Sequence, residues 1–291
     1  MQISAIVIKH IRLGAGKPLL LVHGLGGSGR SWRTIIDALA LQREVIAIDL
    51  PGFGATPPLA GEVSMATLAD ALTDFLRANG WLGIDAVGSS MGARLVMELA
   101  RRGGVLGAVI ALDPGGFWRG WQRHFFFASL WLSIRLVRLL QPVMPFITAN
   151  KLGRILLLAQ FSADPGKLSQ AVTLEEMRSY AASPSFDELL HSLAYGAQQQ
   201  GARQGKIAAP LVIGWGRQDH VCPPGQSELA ALLFPDASLH WFDDCGHFPH
   251  WDSPEECVQL ILDTTSGKRG PSYDAGTPGS KSGSSPQPSS A

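Results

Sequence analysis

Surplus charge of either sign is missing from this sequence. Its 24 lysines and arginines are matched by 24 aspartates and glutamates, and charged residues make up only 16% of the chain. A chain with no basic excess lacks the electrostatic footprint of a nucleic-acid-binding protein, and no nucleic-acid partner is expected. Cysteine is scarce: Cys222, Cys245 and Cys257 are odd in number and lack metal-ligand spacing. They read as buried, inert thiols in a reducing compartment, which predicts a cytoplasmic protein. Long apolar runs are lacking too. The nearest, residues 125–134, already holds Ser129 and Ser133 and is followed by Arg135 and Arg138, so no membrane span is predicted. The opening Met1-Gln2-Ile3-Ser4-Ala5 has no basic segment of the secretory kind, and secretion is not expected.

What the chain does have is apolar and small residues, 46% and 33 glycines respectively in 291 positions, enough for one large α/β domain with an insertion. The apolar runs alternate between strand and helix character. Residues 3–13 are β-rich, and Pro18 to Val22 is a continuous apolar run of the kind buried on both faces of a parallel sheet. A helix is expected over 31–41, a strand over 44–49, and a helix capped by Ser64 running to about Asn79. Strands follow at 84–87 and 105–112, then at 210–216 and 238–242, with helices at about 226–233 and 254–265. Such alternation implies right-handed crossovers and a doubly wound, mainly parallel sheet.

Two stretches depart from this rhythm. Residues 115–205 open with a crowd of aromatics (Phe117, Trp118, Trp121, Phe125, Phe126 and Phe127 among them) and continue in helical pieces broken at Pro142, Pro145, Pro165 and Pro184. This segment reads as a helical cap inserted between two parts of the core, residues 1–114 and 206–266. Residues 267–291 are dominated by Gly, Ser, Pro and Lys and read as a disordered tail.

The chemistry centres on Gly88-Ser89-Ser90-Met91-Gly92. A G-x-S-x-G pentapeptide between a strand and a helix forms a turn so sharp that a Cβ at either glycine would strike neighbouring backbone. It strains the serine and lifts its hydroxyl off the sheet edge. Acyl transfer by a serine also needs a base, an acid to orient the base, and donors for the oxyanion, in the chain order Ser, acid, His on this architecture. The loop 214–223 carries Asp219 and the loop 243–255 carries His247, both after strand C-termini on the elbow's edge of the sheet.

On these motifs the sequence resembles the α/β-hydrolase superfamily, in its lidded branch without metals or organic cofactors. The matching residues are His23-Gly24-Leu25-Gly26, Asp49-Leu50-Pro51-Gly52-Phe53-Gly54, the elbow, Trp215-Gly216-Arg217-Gln218-Asp219 and Gly246-His247, over roughly residues 3–265. The resemblance implies Ser90 as nucleophile, His247 as general base, Asp219 as orienting acid, and the backbone N–H groups of Leu25 and Met91 as oxyanion hole. Gly26 is the alternative to Leu25. Asp113 also ends a strand and competes as the acid, and His250 competes as the base. His23 and Asp49 read as structural, Asp243 and Asp244 as structural or solvated, and His10, His124, His191, His220 and His240 as surface or satisfied core residues.

Ala93 replaces a glycine frequent after the elbow, and the short start abbreviates or removes the family's first antiparallel strand. A serine at position 90 argues against the branches that carry aspartate there, and Phe248 stands where C–C hydrolases often have tryptophan. The expected activity is hydrolysis of an ester, or related acyl bond, of a small apolar molecule. C–C hydrolysis, thioester cleavage and perhydrolysis are alternatives on the same three residues, and a ligand-binding protein that keeps the fold is a rival of another class. The stretch 125–140, with Arg123, Arg135 and Arg138, offers a further reading as a lipid-surface contact, against the plainer one of a cap helix whose arginines reach solvent.

Overall fold

The computed structural model describes residues 7–266. The predicted tail, 267–291, and the start of the first predicted strand lie outside the described residues. Seven strands form one sheet: β1 (His10–Leu13), β2 (Pro18–Val22), β3 (Glu44–Ile48), β4 (Ile84–Ser89), β5 (Leu106–Leu112), β6 (Leu211–Gly216) and β7 (Ser238–Phe242). Their order is β1-β3-β2-β4-β5-β6-β7. Only β1 runs antiparallel, against β3, and every other pairing is parallel.

The continuous apolar strands are explained by a sheet covered on both faces. Leu19 and Leu21 of β2 and Val45 and Ala47 of β3 point to one layer, where they meet Trp32, Leu39 and Ile261. Their neighbours Leu20, Val22, Ile46 and Ile48 point to the other, against Leu68, Leu72, Leu95 and Leu99. The covering helices are α1 (Ile36–Ala40), α2 (Met65–Ala78) and α3 (Met91–Arg102). Five more lie between β5 and β6: α4 (Gln122–Leu139), α5 (Met144–Ala149), α6 (Lys151–Leu158), α7 (Gln170–Ala182) and α8 (Phe186–Tyr195). The chain closes with α9 (Ser227–Leu233), α10 (Pro249–Asp252) and α11 (Pro254–Thr265).

Helix α2 starts where its cap was read: the Ser64 hydroxyl accepts from the Thr67 N–H, and Thr67 returns a bond to the Ser64 backbone. Two expectations are corrected. The helix expected over 31–41 is a 3-10 turn, Gly29–Trp32, followed by the short α1. Trp32, Ile35, Ile36 and Leu39 keep their apolar spacing and their burial. The Ser28 cap and the Asp49 carboxylate, which accepts the Gly29 N–H at 2.7 Å, tighten the first turn. Pro145 does not break a helix but sits in the first turn of α5, where its missing N–H costs nothing. Pro142 and Pro165 sit in 3-10 turns between α4 and α5 and between α6 and α7, and Pro184 lies between α7 and α8, at the breaks expected of them.

Candidate active site

Strand β4 delivers Ser90 at the N-terminal end of α3 with φ 55° and ψ −114°. A non-glycine residue in that region costs on the order of 1–3 kcal/mol and persists only where its surroundings enforce it. They do so here. The Ser90 N–H donates to the Leu112 carbonyl at 2.8 Å. A Cβ on Gly88 would lie 2.3 Å from the Gly92 carbonyl oxygen, and one on Gly92 would lie 2.2 Å from that of Val22. The steric demand inferred for both glycines is therefore met by backbone on every side.

His247 and Asp219 come to Ser90 from the loops after β7 and β6. The His247 Nε2 lies 2.8 Å from the Ser90 Oγ, and its Nδ1 lies 2.8 Å from Asp219 Oδ2. Because the carboxylate can only accept, Nδ1 carries the proton and Nε2 is left to accept from the Ser90 hydroxyl. Both the histidine and the aspartate are almost wholly buried. The other Asp219 oxygen accepts the N–H groups of Val221 and Cys222 at 2.7 and 2.9 Å. The carboxylate is thus fixed by its own loop.

The competing residues fall elsewhere. Asp113, also buried and also at positive φ (47°), accepts the Gly216 N–H through Oδ1, while its Oδ2 has no partner. Burial, and then the neighbouring charge of Asp219, push its carboxyl well above the usual range. His250 is turned away, its ring 4.8 Å from that of Trp32. Burial, and then the charge of His247, lower its pKa to about 3. His23 is structural as read: Nδ1 donates to the Gly24 carbonyl and Nε2 accepts the Leu50 N–H. Burial lowers its pKa to about 4. Asp243 is exposed and pairs with Arg217.

Leu25 lines the same pocket as Ser90 and His247. Met91 is the first residue of α3, where helix N–H groups lack intrahelical partners and favour negative charge. Gly26, at φ 81°, is tightly packed: a Cβ there would meet Tyr180 and Phe186 at 2.8 and 2.9 Å. Its carbonyl accepts the hydroxyls of Ser179, on α7, and of Ser183, just past the end of that helix. The pocket, about 570 Å³ counting the space that opens to solvent, is also lined by Ser133 and Tyr180 and otherwise by apolar side chains such as Leu130, Ile134, Val137, Met177 and Phe186.

Several residues that shape this site carry no sequence signal of their own. The Phe161 carbonyl accepts the His247 N–H at 2.8 Å, and Asp252 accepts the N–H groups of Gly246 and Ala163, both at 2.8 Å. The histidine loop is thereby clamped to the turn after α6. Asp219, Cys222 and His247 bring one ligand atom each within 4.8 Å of one another. That donor set is a poor match for a metal, because Nδ1 is engaged by Asp219 and burial, then the Asp219 charge, keep the Cys222 thiol protonated.

Glu176 of α7 is buried beside the loop that holds Gly24, Leu25 and Gly27, its Oε2 accepting the Ser31 hydroxyl at 3.1 Å. Burial raises its pKa from 4.5 to about 7. The folded chain thus holds a proton that the unfolded chain releases, and stability falls as pH rises between those values and stays lower above them. Glu176→Gln removes this loss. Its melting temperature matches wild type near the acidic end and exceeds it above about pH 7, by an amount on the order of 3 kcal/mol in stability. Parallel thermal melts check it, because His23 and His250, which destabilise the fold as pH falls below 6.5, act equally in both proteins. A difference that is flat with pH contradicts it.

Comparison with known proteins agrees with this architecture. A 2-hydroxy-6-oxononadienedioate/2-hydroxy-6-oxononatrienedioate hydrolase of Dechloromonas aromatica is 26% identical over 262 residues, 86% of this chain and 87% of its own. Among solved structures, a thermophilic esterase from Thermogutta terrifontis matches with a TM-score of 0.69 at 21% identity, over 90% of this chain and 93% of its own. The meta-cleavage product hydrolase CumD of Pseudomonas fluorescens matches with a TM-score of 0.69 at 20% identity, over 90% and 94%. At these identities the structural likeness speaks for the fold alone. The family model of the alpha/beta hydrolase fold matches residues 17–254, from the approach to β2 to the first residue of α11. The chain belongs to the alpha/beta hydrolase fold family.

Proposed function

We propose that this chain is a serine hydrolase that cleaves carboxylic esters of small, largely apolar molecules through an acyl-enzyme, with α4–α8 as the lid over its pocket. The observation that carries the reading is the unbroken hydrogen-bond chain Asp219–His247–Ser90 opening into an apolar pocket. In the first step Ser90 Oγ attacks the ester carbonyl and its proton passes to His247 Nε2. Asp219 stabilises the imidazolium, and the N–H groups of Leu25 and Met91 receive the oxyanion. The C–O bond then breaks as His247 returns the proton to the leaving alcohol. A water molecule, deprotonated by His247, releases the acid and restores Ser90.

C–C bond hydrolysis is the second reading, because relatives carry that name. Their named substrates are dioates, and two carboxylates call for cations. No lysine or arginine lines this pocket, which favours the apolar ester. Initial rates on p-nitrophenyl esters of increasing acyl length, beside a 2-hydroxy-6-oxodienedioate, test the choice. The expected result is kcat/KM rising from the acetyl ester by about tenfold or more with the first added methylenes, since each is worth roughly 0.8 kcal/mol when buried, with the dioate poorly turned over. Faster turnover of the dioate contradicts it.

A further inference from the structure

The helices between β5 and β6 turn an apolar face outward as well as inward. Ten of the seventeen exposed large apolar side chains among the described residues fall between residues 121 and 156. Along α4 they form a second stripe. Phe126, Leu130, Ile134 and Val137 are buried, while Trp121, Phe125, Leu132, Leu136 and Leu139 are exposed at the same helical spacing on the opposite side. A surface helix ordinarily carries one apolar stripe, turned to the core, and α4 carries a second that is exposed. Phe146 of α5 and Leu152 and Leu156 of α6, each more than 60% exposed, extend the patch. This is a concentration of exposed apolar surface, not the single scattered residues of an ordinary exterior.

Charge on the same segment is one-sided. Residues 114–163 hold six basic side chains and no acidic one, in a chain whose net charge is zero. Arg135 and Arg138 share a single carboxylate, that of Asp187 on α8. No single helix among the described residues is long and apolar enough to cross a membrane, and α4 and the segment after it bend by 60° at a break. An apolar stripe flanked by basic residues, on helices that follow a surface, is the composition of an in-plane lipid contact.

We propose that the outer face of α4–α6 seats this protein on an anionic lipid surface, and that its substrates are esters partitioned into that surface. The second half rests on the ester-hydrolase reading. It is motivated by the inner faces of the same helices: Leu130, Ile134 and Val137 of α4 and Leu157 of α6 line the pocket that holds Ser90. The same helices thus present one apolar face to the pocket and another outward.

Flotation of the full chain with vesicles of phosphatidylcholine alone, and with vesicles carrying phosphatidylglycerol, tests the docking without any turnover. The expected result is recovery with the anionic vesicles at least about tenfold above the neutral ones, reduced by added salt. Leu139→Ser with Phe146→Ser, and separately Arg123→Glu with Lys151→Glu, each lower that recovery by about tenfold or more. Both variants keep wild-type rates on a water-soluble short-chain ester and lose rate on a long-chain ester presented in anionic vesicles. Equal flotation of wild type and variants, or none with either lipid, overturns the docking. So does a stable dimer in light scattering that the Leu139→Ser/Phe146→Ser variant abolishes, because a second copy then covers the face. A wild-type protein that floats but cleaves no ester leaves the docking standing and removes the substrate assignment.

Discussion

Ser90→Ala lowers kcat on an activated ester by roughly 10⁵- to 10⁶-fold while leaving the melting temperature close to that of wild type. The large effect follows from Ser90 being the one hydroxyl held at 2.8 Å from the bare Nε2 of His247. Alanine removes the group that forms the covalent bond but keeps the backbone turn. His247→Ala costs a similar factor, and the double variant costs little more than either single one, because the three residues act as a unit. The same series discriminates between the two buried aspartates. Asp219→Asn costs about 10⁴-fold by losing the acceptor that fixes the histidine tautomer. Asp113→Asn changes activity far less, since the His247 Nδ1 bonds to Asp219. Steady-state rates on one ester, with circular dichroism to confirm folding, check the set. Equal losses at both aspartates contradict the assignment.

The second large effect is on stability. Gly92→Ala destabilises the fold by about 3–5 kcal/mol, enough to lower the melting temperature by roughly 10 °C. The added methyl would stand 2.2 Å from the Val22 carbonyl oxygen and 2.5 Å from that of His23. Those atoms belong to the end of β2 and its loop, so nothing can give by a rotamer change; α3 must shift off the sheet. Gly225→Ala is the control, because no atom lies within 4 Å of its added Cβ and its φ lies outside the glycine-favouring region. It stays within about 0.5 kcal/mol of wild type. Denaturant melts of the two variants side by side decide it, and similar midpoints contradict the packing argument.

Where sequence reading succeeded, the determinant was local. Gly88 and Gly92 bracket a turn whose steric demand is set within five residues, and the Ser64 cap lies three residues from its partner. The strands were legible because a sheet covered on both faces needs unbroken apolar runs such as Leu19 to Val22. His247 and Asp219 needed more: their chain order and their place after strands, together with a family resemblance. What stayed hidden was set by contacts between distant segments. Nothing near Glu176 in the chain announces that it will be buried against Ser31. Ser179 and Ser183 look like ordinary helix polar residues until α7 lies over the Gly26 carbonyl. The helix over 31–41 was read from apolar spacing alone, which a 3-10 turn and a short helix satisfy equally well. Pro142, Pro165 and Pro184 mark breaks between helices, whereas Pro145 starts α5, a difference of one or two residues that composition does not carry.

The helices between β5 and β6 serve both the pocket and the histidine loop. Their inner faces line the pocket beside Ser90, and the turn after α6 supplies the carbonyl that anchors the His247 backbone. A displacement of these helices therefore changes both the room for an acyl chain and the support of the histidine loop.

Intact-mass measurement after exposure to a fluorophosphonate decides whether Ser90 is a nucleophile made reactive by His247. The expected result is a single adduct that maps to Ser90, is absent in Ser90→Ala, and forms far more slowly in His247→Ala. A folded wild-type protein that takes no label, or takes it at another residue, contradicts it.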